Sequence, residues 1–211
     1  MSERPARTRT DFTGSVLVRL LVRLTDIDVP ESRHGFADRL SRWLGWTEAI
    51  SLADALDGGS SGAAASTSGA PSAEERECAR VRSVLIKALA ENAVGAATEF
   101  PAFQRRYFAK QQAMENGIGP LRTRLRAALA ARSPALARLA AVDAVMDKML
   151  SARERSLLAG VPALLEKHFE RQRQAEGGLA AFGTDVDAVL RAELEVRMQP
   201  VEGLLEALRN R

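Results

Sequence analysis

An all-α fold is predicted by three features of this 211-residue chain. Apolar residues recur at spacings of three and four along most of its length, and no pair of alternating segments is joined by a tight turn. Aromatic residues make up only 5% of the chain, so the core must be built mainly from Leu, Val and Ala. A Gly/Ser/Ala tract, Gly58 to Ser72 (GGSSGAAASTSGAPS), then divides the chain. Such a composition cannot bury enough apolar surface to offset its ordering entropy, so a flexible linker is expected there. The predicted organisation is a disordered N-terminus at 1–12, a small N-terminal helical unit at 13–57, the linker at 58–72 and a multi-helix array at 73–211.

The elements follow in order. Ser15 to Leu24 (SVLVRLLVRL) places Arg19 and Arg23 four apart on one stripe, opposite a broad apolar face. Helix is preferred there over the strand that Val16, Val18 and Leu20 would also allow, and packing against Phe36 and Leu40 is the simplest way to bury that face. Pro30 punctuates, and Ser32 caps a helix carrying Phe36, Leu40, Trp43 and Leu44. Gly45 ends it, and a short helix holds Ile50, Leu52 and Leu56. Beyond the linker, Ser72-x-x-Glu75 reads as a capping box opening a helix striped with Val81, Val84, Leu85, Ala88 and Leu89. Pro101 bounds the next helix, Ala102 to Asn116, which is expected to stop at the turn made by Gly117, Gly119 and Pro120. Leu121 to Arg132 follows, and Ser133-Pro134 supplies a cap and a first-turn proline. From Pro134 to Ala159, Leu139, Val142, Met146 and Met149 alternate three and four apart, the pattern of a helix pressed along another. Gly160 and Pro162 break that helix. Val161 to Ala175 forms another, and Gly177, Gly178 and Gly183 form a wide turn. Thr184 then caps a last helix carrying Val186, Leu190 and Leu194, continuing through Pro200 to Val201, Leu204, Leu205 and Leu208.

Composition excludes several classes. Thirty basic residues face 27 acidic ones, and residues 1–57 hold 8 and 9 of these, so no half of the chain is a polybasic arm. The single cysteine, Cys78, precludes an internal disulfide and suggests a reducing, cytoplasmic setting. The start of the chain carries three arginines, but the apolar run after it is broken by Arg19 and Arg23 and lacks a cleavage pattern, so a secretory signal is not expected. No stretch approaches the ~18 apolar residues of a membrane span.

Candidate sites are sparse. Phe100, Phe103, Tyr107 and Phe108, four of the ten aromatic residues, interleave with Arg105, Arg106 and Lys110. Rings beside arginines suit single-stranded nucleic acid or a protein partner. The three-four spacing of Phe100, Phe103 and Tyr107 is equally how a helix points rings into a core, and the core reading is preferred. Arg122, Arg124 and Arg126, with Arg132 and Arg138, form a second basic region, since no acid occurs from Gly117 to Val142. They do not share one helical face, and a solvated surface is the plainer reading. Trp43 and Trp46 flank Gly45 and would anchor a partner if they were not core. The Val16 to Leu24 face, with Arg19 and Arg23, is a further docking candidate. His34 and His168 lack ligand-pair spacing, and the chain has no phosphate loop, serine elbow or redox dithiol. No catalytic residue, cofactor or metal is therefore assigned; an enzyme built on His168 with Glu166 and Glu170 ranks last.

Leu17 to Asp26 (LVRLLVRLTD), Val29 to Arg33 (VPESR) and Phe36 to Ile50 (FADRLSRWLGWTEAI) together resemble the N-terminal signature of an uncharacterised bacterial family catalogued as a domain of unknown function. The resemblance covers the whole layout, with a variable linker and a helical remainder. It implies an association with gene clusters encoding an OmpA/MotB-like envelope protein and membrane components resembling motor stators. The expectation is thus a non-enzymatic, cytoplasmic helical adaptor accessory to an envelope complex. One helical part would bind a protein partner, and the other would self-associate or dock elsewhere. The alternative from another class is a nucleic-acid-associated protein using the arginines of 105–138.

Overall fold

The computed structural model describes residues 15–25, 49, 50, 52, 53, 56, 72–91 and 98–209. It is all-α, and no strand occurs among the described residues. Among the described residues seven helices are delimited: α1 (Val16–Thr25), α2 (Ala73–Ala90), α3 (Phe100–Arg132), α4 (Pro134–Ala159), α5 (Val161–Leu164), α6 (Glu166–Arg173) and α7 (Gly178–Arg209). Ala49, Ile50, Leu52, Ala53 and Leu56 are also helical, with Ile50 and Leu56 exposed. Trp43, Trp46, Phe36, Leu40 and the tract up to 71 lie outside the described residues.

The caps read from the sequence are present. Ser72 Oγ accepts from the Glu75 amide at 3.1 Å, and the Ser72 amide donates to Glu75 Oε2 at 2.6 Å, closing the capping box of α2. Ser133 Oγ accepts from the Leu136 amide at 3.2 Å, with Pro134 at the first position of α4.

Two expected turns are helix. Gly117, Gly119 and Pro120 sit within α3, a continuous helix of 33 residues. Two glycines and a proline each disfavour helix by about 1 and 3 kcal/mol. The buried stripe Met114, Ile118, Leu121, Leu125 and Leu129 runs straight through them and offsets that cost at about 1.5–3 kcal/mol per buried side chain. Gly117 has a packing role, because a Cβ there would lie 3.1 Å from Leu85 Cδ2 of α2. Likewise, Gly183 and Thr184 lie inside α7, between the fully buried Phe182 and Val186, and Thr184 Oγ1 donates back to the Ala180 carbonyl at 3.2 Å. The turn before α7 is made earlier. Gly177 takes φ +69°, and a Cβ on Gly178 would meet the Gln172 carbonyl oxygen at 2.0 Å. The single helix expected over Val161 to Ala175 is two, α5 and α6, separated at Leu165.

The core lies where α3 and α7 pack together, with α2, α4 and α6 around them. At its centre Phe103, Tyr107, Phe169 and Phe182 are fully buried; Phe103 and Phe182 stand edge to face at 5.1 Å, as do Phe169 and Phe182 at 5.2 Å. In α2, Cys78, Val81, Leu85 and Leu89 are buried, while Val84, expected on the same stripe, is 52% exposed. Burial pushes the Cys78 thiol above its ordinary range, so this cysteine behaves as a small apolar core residue.

α1 joins this core. Leu17 and Leu24 are buried, and α1 packs on α7 and α6. The Arg171 guanidinium donates to the Leu24 carbonyl at 2.7 Å, a cation closing a helix C-terminus. The sequence paired this face with Phe36 and Leu40, but the described partners belong to the C-terminal array.

Candidate functional site

The densest charged chemistry lies between α3, α4 and α7. Just over two turns of α3 place Tyr107, Gln111 and Glu115 opposite Glu193 and Arg197, an i,i+4 pair inside the apolar run of α7. Glu193 is wholly buried, and its carboxylate accepts from Tyr107 Oη at 2.9 Å, Gln111 Nε2 at 2.9 Å and Arg197 Nη2 at 2.9 Å. Gln111 Nε2 also donates to the Leu158 carbonyl at 2.8 Å, tying the end of α4 to the network. Arg197 Nη1 lies 3.4 Å from Glu115. Burial, with the Glu193 charge beside it, holds the Tyr107 hydroxyl well above its usual range, so it stays protonated as a donor.

Adjacent to this is an ionic ladder between α3 and α4. Arg122 reaches Asp143 twice, at 2.8 and 2.6 Å, and Asp147 at 2.9 Å. Arg126 Nη2 reaches Asp147 at 2.5 Å, and its Nε lies 3.0 Å from Asp143 as an ion pair without a hydrogen bond. Burial opposes the charge on Arg122, but the hydrogen bond and charges of Asp143 and Asp147 outweigh it and raise the guanidinium above its ordinary range.

Where the two networks meet, a cleft of about 230 Å³ opens between Gly119, Ser151 and Pro200, with Arg122, Arg155, Arg197, Glu115, Asp147 and Glu154 on its walls. Burial pushes the Glu154 carboxyl above its usual range, partly countered by Arg197 and Arg122. The cleft balances three guanidiniums against three carboxylates. No cluster of three or more His, Cys, Asp or Glu able to hold a metal occurs among the described residues.

Phe103 and Tyr107 are core and therefore not a binding surface; Phe108 beside them is 43% exposed. Arg105 and Arg106 are exposed on α3. The basic region of 122–126 is corrected: Arg122 and Arg126 face α4 and are paired there, and Arg124, on another face, pairs with Glu77 at 2.7 Å. Arg132 donates to the Leu208 carbonyl at 2.6 Å. Arg19 is exposed, and Arg23 lies 3.8 Å from Asp185. Trp43 and Trp46 lie outside the described residues. His168 is buried and 2.9 Å from Asp185, not from Glu166 or Glu170. Sequence reasoning missed Gln111, Glu193 and Arg197. Their signal was available: Glu193 and Arg197 occupy core positions of the same spacing that carries Val186, Leu190 and Val201.

The last feature is what α4 does not use. Of its 26 residues only Ala140 and Leu158 are buried. The side toward α3 carries these with Asp143, Asp147 and Glu154, and it is largely polar. The expected stripe of Leu139, Val142, Met146 and Met149 lies about 100° round the helix from that side. Leu139 is 41% and Leu157 64% exposed, with Val142, Met146 and Met149 half-buried between them.

Fold and site define a class: an all-α array whose described helices α3, α4 and α7 are joined by buried hydrogen bonds and ion pairs, with the outer helix α4 carrying a partly exposed apolar stripe. The profile of a family described as a protein of unknown function, DUF3348, matches residues 1–210, and the chain belongs to that family. No curated protein and no solved structure matches it.

Proposed function

We propose that the protein is a non-enzymatic helical adaptor that binds a protein partner through the outward stripe of α4. The observation that carries this reading is the stripe Leu139, Val142, Met146, Met149 and Leu157. It has the periodicity of a helix–helix seam, yet the interface of α4 with α3 is a different, ionic one. A helix that needs this stripe only for its own fold would turn it toward α3. The family resemblance points to an envelope complex with an OmpA/MotB-like protein or stator-like membrane components as the place to seek that partner. No described helix is long and apolar enough to cross a membrane. The nucleic-acid alternative draws on the arginines of 105–138; of these Arg122, Arg124 and Arg126 are engaged by Asp143, Asp147 and Glu77, which weakens it, while Arg105, Arg106 and Arg138 are exposed.

The test is an affinity pull-down of the tagged full chain from native lysate, with and without nuclease, beside a Leu139→Ser/Leu157→Ser variant of unchanged circular dichroism. A protein recovered with nuclease by the parent and lost by the variant is the expected result. Equal recovery by both chains, or recovery that collapses with nuclease, overturns the reading.

A further inference from the structure

We infer that the cleft between α3, α4 and α7 binds a small free amino acid, its ammonium taken by Glu154 and its carboxylate by Arg155. This goes beyond the adaptor reading and does not depend on it, because α4 walls the cleft with Asp147, Ser151, Glu154 and Arg155 and not with its apolar stripe. Most of the charge on the walls is committed to groups behind them. Arg122 spends Nε and Nη2 on Asp143 and Nη1 on Asp147, whose other oxygen is taken by Arg126. Arg197 spends Nε and Nη2 on Glu193. Two groups of opposite sign are left over. Among the described residues, neither Glu154 nor Arg155 has a hydrogen bond or an ion pair. They do not satisfy each other, because consecutive residues of a helix project about 100° apart. Burial raises the Glu154 carboxyl; Arg197 and Arg122 counter this only in part, and Asp147 and Glu115 reinforce it, so an added cation is favoured beside it. Glu115, held by Arg197 at 3.4 Å through one oxygen, leaves the other to share that cation.

Ligands of one sign fit less well. A simple anion meets only the exposed Arg155, since the two deeper guanidiniums are spent on their own carboxylates. A divalent metal wants six or more oxygens; no group of three His, Cys, Asp or Glu able to hold one occurs among the described residues, and both oxygens of Asp147 are taken. A zwitterion meets both uncommitted groups at once, with charge-assisted hydrogen bonds at each end. Size and lining agree with this class. The cleft of about 230 Å³ has room for about eight waters at about 30 Å³ each, and so for a ligand of about that many non-hydrogen atoms. Ile118 and Pro200, on either side of the bare backbone of Gly119, supply an apolar wall for an aliphatic portion.

The experiment titrates the full chain with L-valine, γ-aminobutyrate, n-butylamine and n-butyrate and follows backbone amide shifts by NMR. The two amino acids differ in the span between their charges, and the other two probes carry one charge each. At least one amino acid should shift the amides of Gly119, Ser151 and Glu154, with a Kd at least about tenfold below that of either single-charge probe. Glu154→Gln and Arg155→Gln should each raise that Kd at least about tenfold, with circular dichroism unchanged. Glu206→Gln, which removes an exposed carboxylate of α7 outside the cleft, should leave it as it was. The inference is overturned if a single-charge probe binds as tightly as both amino acids, or if neither amino acid shifts these amides. It is equally overturned by an amino-acid Kd that Glu154→Gln and Arg155→Gln leave unchanged, or that Glu206→Gln raises as much as they do.

Discussion

At the scale of single residues, the buried carboxylate of Glu193 governs the interior. It is satisfied by Tyr107, Gln111 and Arg197, so removing one partner leaves charge without compensation in a medium that cannot solvate it. Arg197→Ala should cost about 3–5 kcal/mol in urea unfolding, and Tyr107→Phe about 1.5–3 kcal/mol, the worth of a hydrogen bond to a charged group. Glu154 behaves in the opposite sense. Its folded-state carboxyl is raised by burial, so its protonated form is favoured by folding; that stability is present below the unfolded pKa and lost as pH rises through the folded one. Glu154→Gln should therefore stabilise the protein at neutral pH, and its advantage over the parent should shrink as pH falls through the carboxylate range. A difference of constant size across that range would contradict the assignment. Glu74 and Glu75, both lowered by hydrogen bonds at the start of α2, have the contrary sign, and the stability they add is lost on acidification.

At the scale of elements, helical type, the caps at Ser72 and Ser133 and the apolar stripe of α7 were legible in the sequence because they depend on local chemistry and periodicity. The glycine and proline signals at 117–120 and 183 were misread, because their local cost is overridden by burial on either side. The ionic ladder was invisible for a related reason. No acid occurs from Gly117 to Val142, but the antiparallel return of α4 sets Asp143 and Asp147, just beyond that window, against Arg122 and Arg126. A charge run becomes a surface only if nothing folds onto it. The glycines inside α3 give a paired prediction. No atom lies within 4 Å of a Cβ built on Gly119, so Gly119→Ala should raise stability by about 0.5–1 kcal/mol through helix propensity alone. Gly117→Val, pressed on Leu85, should lower it by about 1–3 kcal/mol. Thermal unfolding of the two variants side by side checks both signs.

At the scale of the whole molecule, α1 is chemically part of the C-terminal array although the Gly/Ser/Ala tract lies between them in sequence. Leu17 and Leu24 are buried there, and Arg171 holds the end of the helix. Limited proteolysis is expected from composition to cut first within 58–71. The N-terminal fragment should nevertheless stay with the array on gel filtration, and a Leu17→Ala/Leu24→Ala chain should release it after the same cut. Separation of the fragments in the parent would mean that α1 adds little to the core. On the outside of that assembly, α4 presents Leu139 and Leu157 exposed, with Val142, Met146 and Met149 half-buried between them. The most direct measurement is site-specific photo-crosslinking in native cells, with the crosslinker at Leu139, at Leu157 and, as a control on α7, at the exposed Glu206. The account predicts a discrete protein adduct at both α4 positions and none at Glu206. The absence of an adduct at Leu139 and Leu157, or equal labelling at all three positions, would contradict it.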